Sequence, residues 1–443
     1  MTEQFDTFII FILYLALFIY MARTILQSVQ DGWNMVAVFL LFWTIQYLIV
    51  PLSMILNDTI FFLDYRVLDL RVESGLDRFY SYKSFAVSSI FLAFFFVGVY
   101  SVRQKEASEY ILKERTISIF SRDINLLSLI GLFLAFLSLA SVFIYASQFG
   151  SMHRAIMAAD AVRSGHGDEF WISKTYIFVY RFIPFSILSI IIFFLLENNK
   201  GFWTKVMLWV ALGVTLFSRL ALFKSKQAII ELLLLYLFYL SFKNKKSYLF
   251  HFSMLFLFAI FFLPALESYL DTGKFVISNP MNVIQSIFNM LSFFNFDQTS
   301  LEFALNKNYD FVYFEGFISG LRGKFIPISW LTSITGNSMI TNTYFFYNFN
   351  EAIVPPGVVA FGYYNLGVIG VIIAGVFSGF LVKKIEYFFI NITSNNPKFI
   401  ILYAFIMTKV FTWVRTGIPK FTFYDTVMVV LFLVIILGYE KRE

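Results

Sequence analysis

The stretch SRLALFKSKQAI (218–229) sets Arg219, Lys224 and Lys226 between two strongly apolar runs. Arg suits a phosphate because its planar fork donates two parallel hydrogen bonds and stays charged, and Lys adds a point charge. These three cations either cup an anion together or act as solvated caps on helix ends. Arg181, in TYIFVYRFIPF (175–185), poses a similar choice. An Arg at bilayer depth is costly unless paired or solvated, so it either snorkels to water or lines a cavity as an anion ligand. The stretch SMHRAIMAADAVRSGHGDEF (151–170) holds His153, Arg154, Asp160, Arg163, His166, Asp168 and Glu169. Such a set suits a general base or a phosphate clamp, and it also suits a solvated surface loop. His166 stands between Gly165 and Gly167, on a flexible turn.

Metal chemistry finds little support. No zinc-binding spacing is present. Residues 56–83 hold Asp58, Asp64, Asp69, Glu73 and Asp77, but interleave them with Arg66, Arg71 and Arg78. Alternating signs favour salt bridges over an open metal site. The absence of cysteine excludes thiol catalysis and cysteine-ligated metals, and a count of only three histidines nearly excludes a multi-histidine cluster. Neither a metal nor any other cofactor is expected.

The elements that must position these residues are membrane helices. The chain of 443 residues is 59% hydrophobic and 14% charged, with mean hydropathy +0.75. A soluble domain of this length needs a larger polar surface, so the chain is a polytopic membrane protein and a soluble enzyme is excluded. The net charge of +6 is in part an orientation signal, and nucleic acid is not expected as a partner. Residues 8–22 lack a basic n-region and a small-residue cleavage site, so they read as a retained span.

Apolar runs of roughly 18 residues mark about eleven candidate spans, within a range of about ten to twelve. They are 5–22, 33–55, 84–102, 124–148, 174–196, 204–220, 227–243, 248–266, 356–382, 398–414 and 422–439. The expected fold is all-α, with residues 1–443 forming a single integral membrane domain. Arg103, Lys105, Lys113, Arg115 and Arg122 place the loop 103–122 in the cytoplasm. Alternation then puts Lys200, Lys205, Lys243, Lys245, Lys246, Lys383, Lys384, Lys441 and Arg442 inside as well. The N-terminus falls outside and the C-terminus inside.

Against that frame the cations of 219–226 lie outside, contrary to the orientation rule. So do Arg154, Arg163, Lys174, Arg322, Lys324, Arg415 and Lys420. A force other than topology has put cations there. The long outer segment 267–355 is too polar for a further span and too aromatic for a disordered linker. Within it, SNPMNVIQSIFNMLSFF (278–294) carries helical periodicity, with Asn279 as N-cap and Pro280 at the first helical position. It reads either as a helix lying at the outer interface or as one packed under the loop.

The stretch VPPGVVAFGYYNLGVIGVIIAGVFSGF (354–380) resembles a C-terminal signature of the Wzy-type O-antigen and capsule oligosaccharide repeat-unit polymerases. Pro355, Pro356, Tyr363, Asn365, Gly367 and Gly370 match that pattern. Leu366 stands where Phe is usual, and Phe361 stands where an acidic residue is usual, so no acidic role is carried over there. FEGFISGLRGKFIPISWL (314–331) is similar to the family's outer-loop segment ending in Pro and Trp, and SRLALF (218–223) to its Arg-bearing turn. The resemblance covers roughly the C-terminal half in order, plus the span architecture.

The resemblance implies a glycosyltransferase of the bacterial inner membrane, joining repeat units carried on undecaprenyl diphosphate at the periplasmic face. Partners would be those lipid-linked glycans, membrane lipids and a chain-length regulator protein. Charge develops on the diphosphate as it leaves, and preorganised arginines would stabilise it without metal. Arg219 is then the first catalytic candidate, with Arg163, Arg181, Arg322, Arg415, Lys224 and Lys226 binding substrate. Trp330, Tyr344 and Tyr363 could contact sugars. His166, Asp160 and Glu315 are candidates for a base at the acceptor hydroxyl. Two other classes share the architecture. A ligase transfers finished glycan to lipid A core or protein, and a flippase or transporter moves lipid-linked glycan across the bilayer.

Overall fold

Polar residues standing directly before apolar runs start the helices. Asn34 accepts from the Ala37 N–H, Asn125 accepts from the Leu127 N–H, and Ser81 forms a capping box with Ser84. The computed structural model describes residues 2–61, 78–103, 112–119, 122–163, 179, 182–196, 201–222, 227–255, 257, 295–306, 311, 356–417 and 426–441.

The helices in chain order begin with α1 Thr2–Ser28, α2 Met35–Ile60 and α3 Tyr82–Ser101. There follow α4 Leu126–Ser147, α5 Met152–Arg163, α6 Phe185–Leu195, α7 Phe202–Leu222 and α8 Gln227–Asn244. The last are α9 Asn295–Asn306, α10 Gly357–Asn395, α11 Ile400–Thr416 and α12 Thr426–Gly438. Two short antiparallel ribbons complete the described structure. β1 Leu112–Glu114 pairs with β4 Tyr439–Lys441, and β2 Thr116–Ile119 pairs with β3 Arg122–Asn125.

The protein is an almost entirely helical, multi-pass membrane protein. Among the described residues, 7 helices are long and apolar enough to cross a bilayer: α1, α2, α3, α4, α7, α10 and the stretch Pro397–Thr416 that contains α11. Of the other expected spans, 174–196 is described as the short apolar α6, 227–243 as the 18-residue α8, and 422–439 as the 13-residue α12. The span expected at 248–266 is described only through 255 and at 257, and the helix expected at 278–294 lies outside the described residues.

The chain divides into two units. The first comprises Met1–Lys105, Leu240–Phe388 and Met407–Lys420. Here α2 is central, 67% buried over its apolar window, whereas α1 is 22% buried and turns most of its apolar surface outward, as a lipid-facing helix does. Phe39 anchors the interior. It stacks on Phe95 at 4.6 Å and meets Trp413 edge-on at 5.4 Å. α3 and α10 approach through glycines. A Cβ on Gly379 would fall 1.9 Å from the Phe95 carbonyl oxygen, and one on Gly98 would fall 2.2 Å from that of Val376. Small residues at such crossings let membrane helices come into backbone contact.

The second unit comprises Glu106–Tyr239, Phe389–Ile406 and Phe421–Glu443. Its helices α4, α6 and α7 are joined by buried hydroxyls. Ser189 Oγ donates to the Gly131 carbonyl (2.7 Å), Ser138 Oγ to the Ile183 carbonyl (2.5 Å), and Thr215 Oγ1 to Ser186 Oγ (2.6 Å).

Candidate functional site

α9 reads NFDQTSLEFALN, a polar sequence with two carboxylates. Its 12 residues span about 18 Å, too short for the roughly 30 Å hydrocarbon core. Yet Asp297, Gln298, Thr299, Ser300 and Glu302 are all at most 1% exposed. The helix lies within the first unit, against the middle of α2. Tyr47, which faces Asp297, sits about 18–20 Å from either end of α2 at 1.5 Å per residue. Ionisable groups at such depth are costly to bury and mark functional sites by default.

α2 is shaped to receive this helix. Residues Ile45–Ile49 form a π-helical turn in its middle. Trp43 and Thr44, just before this turn, and Gln46 and Tyr47, within it, are all buried. Single π turns of this kind recur at functional sites.

Asp297 looks toward α2, α10 and α11. Burial pushes its carboxyl well above the usual carboxylate range, and the Arg415 guanidinium pulls the other way. Among the described residues neither of its oxygens has a hydrogen-bond partner, and the same holds for Trp43 Nε1, Thr44 Oγ1, Thr299 Oγ1 and both side-chain atoms of Gln46. A buried polar atom left unpaired costs about 1–3 kcal/mol, so a cluster of them calls for a functional explanation.

Glu302 looks the other way, toward α1 and α3. Ser81 Oγ donates to its Oε2 at 3.0 Å, and Gln298 and Asn306 amides lie 3.5 Å from its two oxygens. Ser81 Oγ is 3.4 Å from Ser84 Oγ, which in turn shares a 3.1 Å hydrogen bond with Tyr14 Oη. Burial pushes the Glu302 carboxyl up to about 7, against the hydrogen bonds of Ser84, Ser81 and Asn306 and the charge of Lys83.

The stretch at 354–380 closes the site from α10. Gly357, at φ +71°, packs so tightly that a Cβ there would meet Tyr47 Oη at 2.2 Å and Asp297 Cβ at 2.8 Å. The Val359 N–H donates to Tyr47 Oη (3.2 Å), and Tyr364 Oη donates to the Ser300 carbonyl on α9 (3.1 Å). α10 then breaks at Leu366 (φ −150°, ψ 27°) and Gly367 (φ 59°, ψ −142°). Past the break the chain folds back. A Cβ on Gly370 would lie 2.0 Å from the Gly362 carbonyl oxygen, a contact no straight helix makes across eight residues. The apolar run at 356–382, expected as one span, is therefore a short buried helix followed by a longer one.

Of the residues expected to act, Arg415 lies in this site, at the end of α11 beside Asp297. Tyr363 is half-buried on the short arm of α10, next to Tyr364. Arg219 belongs to the second unit, half-buried in another π turn, Ser218–Leu222, next to the apolar cluster of Val142, Tyr145, Ile183 and Leu222. Asp160 and Arg163 fall on α5, but their side chains lie outside the described residues. So do His166, Arg181, Lys224, Lys226, Glu315, Arg322, Trp330 and Tyr344. Among the described residues no group of three or more His, Cys, Asp or Glu could hold a metal ion.

Asp297, Glu302, Gln46 and Tyr47 were not legible as site residues in the sequence. The one signal was that both carboxylates of α9 are set among Phe294, Phe296, Leu301 and Phe303, unusual neighbours for a solvated loop. Compared with known proteins, the chain matches no family model, no characterised protein and no solved structure.

Proposed function

We propose that this protein is an oligosaccharide repeat-unit polymerase of the Wzy type, acting on undecaprenyl-diphosphate-linked glycans at the periplasmic face of the bacterial inner membrane. In this reading it crosses the membrane about eleven times, with its N-terminus periplasmic and its C-terminus cytoplasmic. The acceptor sugar hydroxyl attacks the anomeric carbon of the donor chain. The bond from that carbon to the lipid diphosphate breaks, a glycosidic bond forms, and the hydroxyl proton passes to a base or to water. Guanidinium charge is what the departing diphosphate needs, and Arg219 in the second unit and Arg415 in the first are each a candidate to supply it.

One observation supports this reading above the others. The signature-like stretch at 354–380 does not simply span. Its Gly357, Val359 and Tyr364 hold a buried polar site that contains Arg415. The signature matches Tyr363 and Asn365 and the site contacts Gly357, Val359 and Tyr364 share the short first arm of α10.

The test uses purified protein in detergent with lipid-linked repeat units and no ion gradient. A ladder of polymer is expected from the unaltered chain, and single repeat units alone from Arg219→Ala and Arg415→Ala. Normal chain lengths from either variant, at equal protein, would reject that residue's role.

A second reading, a proton-coupled translocase of lipid-linked glycan, is favoured by the buried carboxyls of α9, since such groups relay protons in transporters. It expects no polymer in the gradient-free assay.

A further inference from the structure

α9 is held by a continuous line of oxygens. It runs from Tyr14 Oη on α1 through Ser84 Oγ and Ser81 Oγ on α3 to the Glu302 carboxyl, with steps of 3.1, 3.4 and 3.0 Å. Each link is a hydroxyl or a carboxyl, so each can both donate and accept a proton. Tyr14, Ser84 and Glu302 are buried, whereas Ser81, the link next to Glu302, is partly exposed, so the line comes nearest the surface there.

The surroundings of Glu302 do not favour a charge. The titratable groups that face it are Tyr14 from α1 and Lys83 from α3, and the Lys83 side chain is exposed. Asp297, on its own helix, is a second acid, and the groups facing that one are Tyr47 of α2 and Arg415 of α11. Tyr364 of α10 reaches the helix backbone at Ser300. Arg78, ahead of α3, has Nη1 3.4 Å from Thr7 Oγ1 and donates to it. Among the described residues the direct partners of the Glu302 carboxyl are neutral hydroxyls and carboxamides. A carboxylate here would be desolvated with no buried cation in contact among the described residues.

We propose that Glu302 is a proton-binding site, protonated while α9 lies buried, and that loss of this proton loosens α9 from its socket between α1, α2 and α3. The proton leaves along Ser81 toward the surface, and the charge left behind is stabilised only as water reaches it. The site is distinct from the arginines assigned to the diphosphate, and the inference stands whether the chain polymerises or transports glycan. The elevated proton affinity that burial gives Glu302 agrees with it.

The chain contains no cysteine, so single introduced thiols report directly on α9. Thr299→Cys and Ala304→Cys place thiols at buried positions, and Ser151→Cys places one at an exposed position as reference. With the full chain in detergent, labelling by a water-soluble maleimide is measured from pH 6 to pH 8.5 and expressed relative to the reference, which removes the thiol's own titration. The α9 thiols should gain about tenfold in relative labelling over this range, following one proton with a midpoint near 7. The same thiols in a Glu302→Gln background should show a flat ratio. A flat ratio at both positions in the parent chain overturns the proposal, and so does an equal rise in the Glu302→Gln background. A Glu302→Gln chain that does not fold overturns it too, because glutamine mimics the neutral resting state.

Discussion

Replacing Gly357 by alanine tests whether the start of α10, Tyr47 and Asp297 form one tightly fitted unit. Two costs arise. The residue sits at φ +71°, a left-handed conformation that costs an alanine about 1–2 kcal/mol. The new methyl would also stand 2.2 Å from Tyr47 Oη and 2.8 Å from Asp297 Cβ, both fully buried and unable to swing aside. Overpacking of this kind costs about 1–3 kcal/mol. The expected loss is therefore about 2–5 kcal/mol.

Tyr47→Phe separates the two costs. Alone, it removes the acceptor of the Val359 N–H, at about 1 kcal/mol. Combined with Gly357→Ala it also removes the oxygen that the methyl strikes first, while the contact with Asp297 and the backbone strain remain. The double variant should then be more stable than the sum of the single losses, by about 1–2 kcal/mol of coupling. The assay is thermal unfolding in detergent, followed by intrinsic tryptophan fluorescence, for the parent, both singles and the double. Strict additivity would refute the geometry, and so would a Gly357→Ala chain as stable as the parent.

Two further perturbations follow from the same structure. Gly379→Ala would force α3 and α10 apart at the Phe95 carbonyl and should cost about 1–3 kcal/mol, whereas Gly213→Ala on α7 meets nothing within 4 Å and should gain up to about 1 kcal/mol in helix propensity; equal melting shifts would show that the glycine seam is not in contact. Glu302 binds its proton more tightly in the folded chain, at about 7, than the ordinary 4.5, so its stabilisation is fully present below about pH 4.5 and is lost as pH rises through 7; Glu302→Gln should abolish this loss, worth roughly 3 kcal/mol by pH 8, and superimposable melting curves of parent and variant across that range would contradict it.

The membrane character was readable because lipid demands long apolar runs, and α1 to α4 lie within a few residues of where those runs predict. α9 was not readable, because NFDQTSLEFALN has the composition of a surface turn. Only the spans around it make burial tolerable, through Ser81, Phe79 and Tyr364, residues far away in sequence. The break at Leu366–Gly367 was hidden for the opposite reason. It lies inside an unbroken apolar stretch, and hydropathy does not report backbone angles. The π turn at Ile45–Ile49 is equally silent, since one extra residue per turn leaves composition unchanged. Among the cations, Arg415 was recognisable by its position at the end of a span, but its acidic neighbour was not, because the two lie more than a hundred residues apart.

The protonation of Asp297 decides what Arg415 can do. An ionised Asp297 would draw the guanidinium into a buried ion pair and cancel its charge. Burial instead favours the neutral acid, which does not cancel the guanidinium's charge. A polymerase needs that positive charge throughout its cycle, at the moment the diphosphate departs. A proton-coupled translocase needs Asp297 to alternate between its two forms. Asp297→Asn holds the neutral form permanently and distinguishes these requirements in one variant. Polymer yield should stay within about threefold of the parent if the acid only keeps its charge away from Arg415, since a difference of that size is under 1 kcal/mol in the barrier. A loss of a hundredfold or more, with Arg415 and the fold intact, would mean that the carboxyl itself must ionise, and the assignment of Arg415 to the leaving group would fail with it.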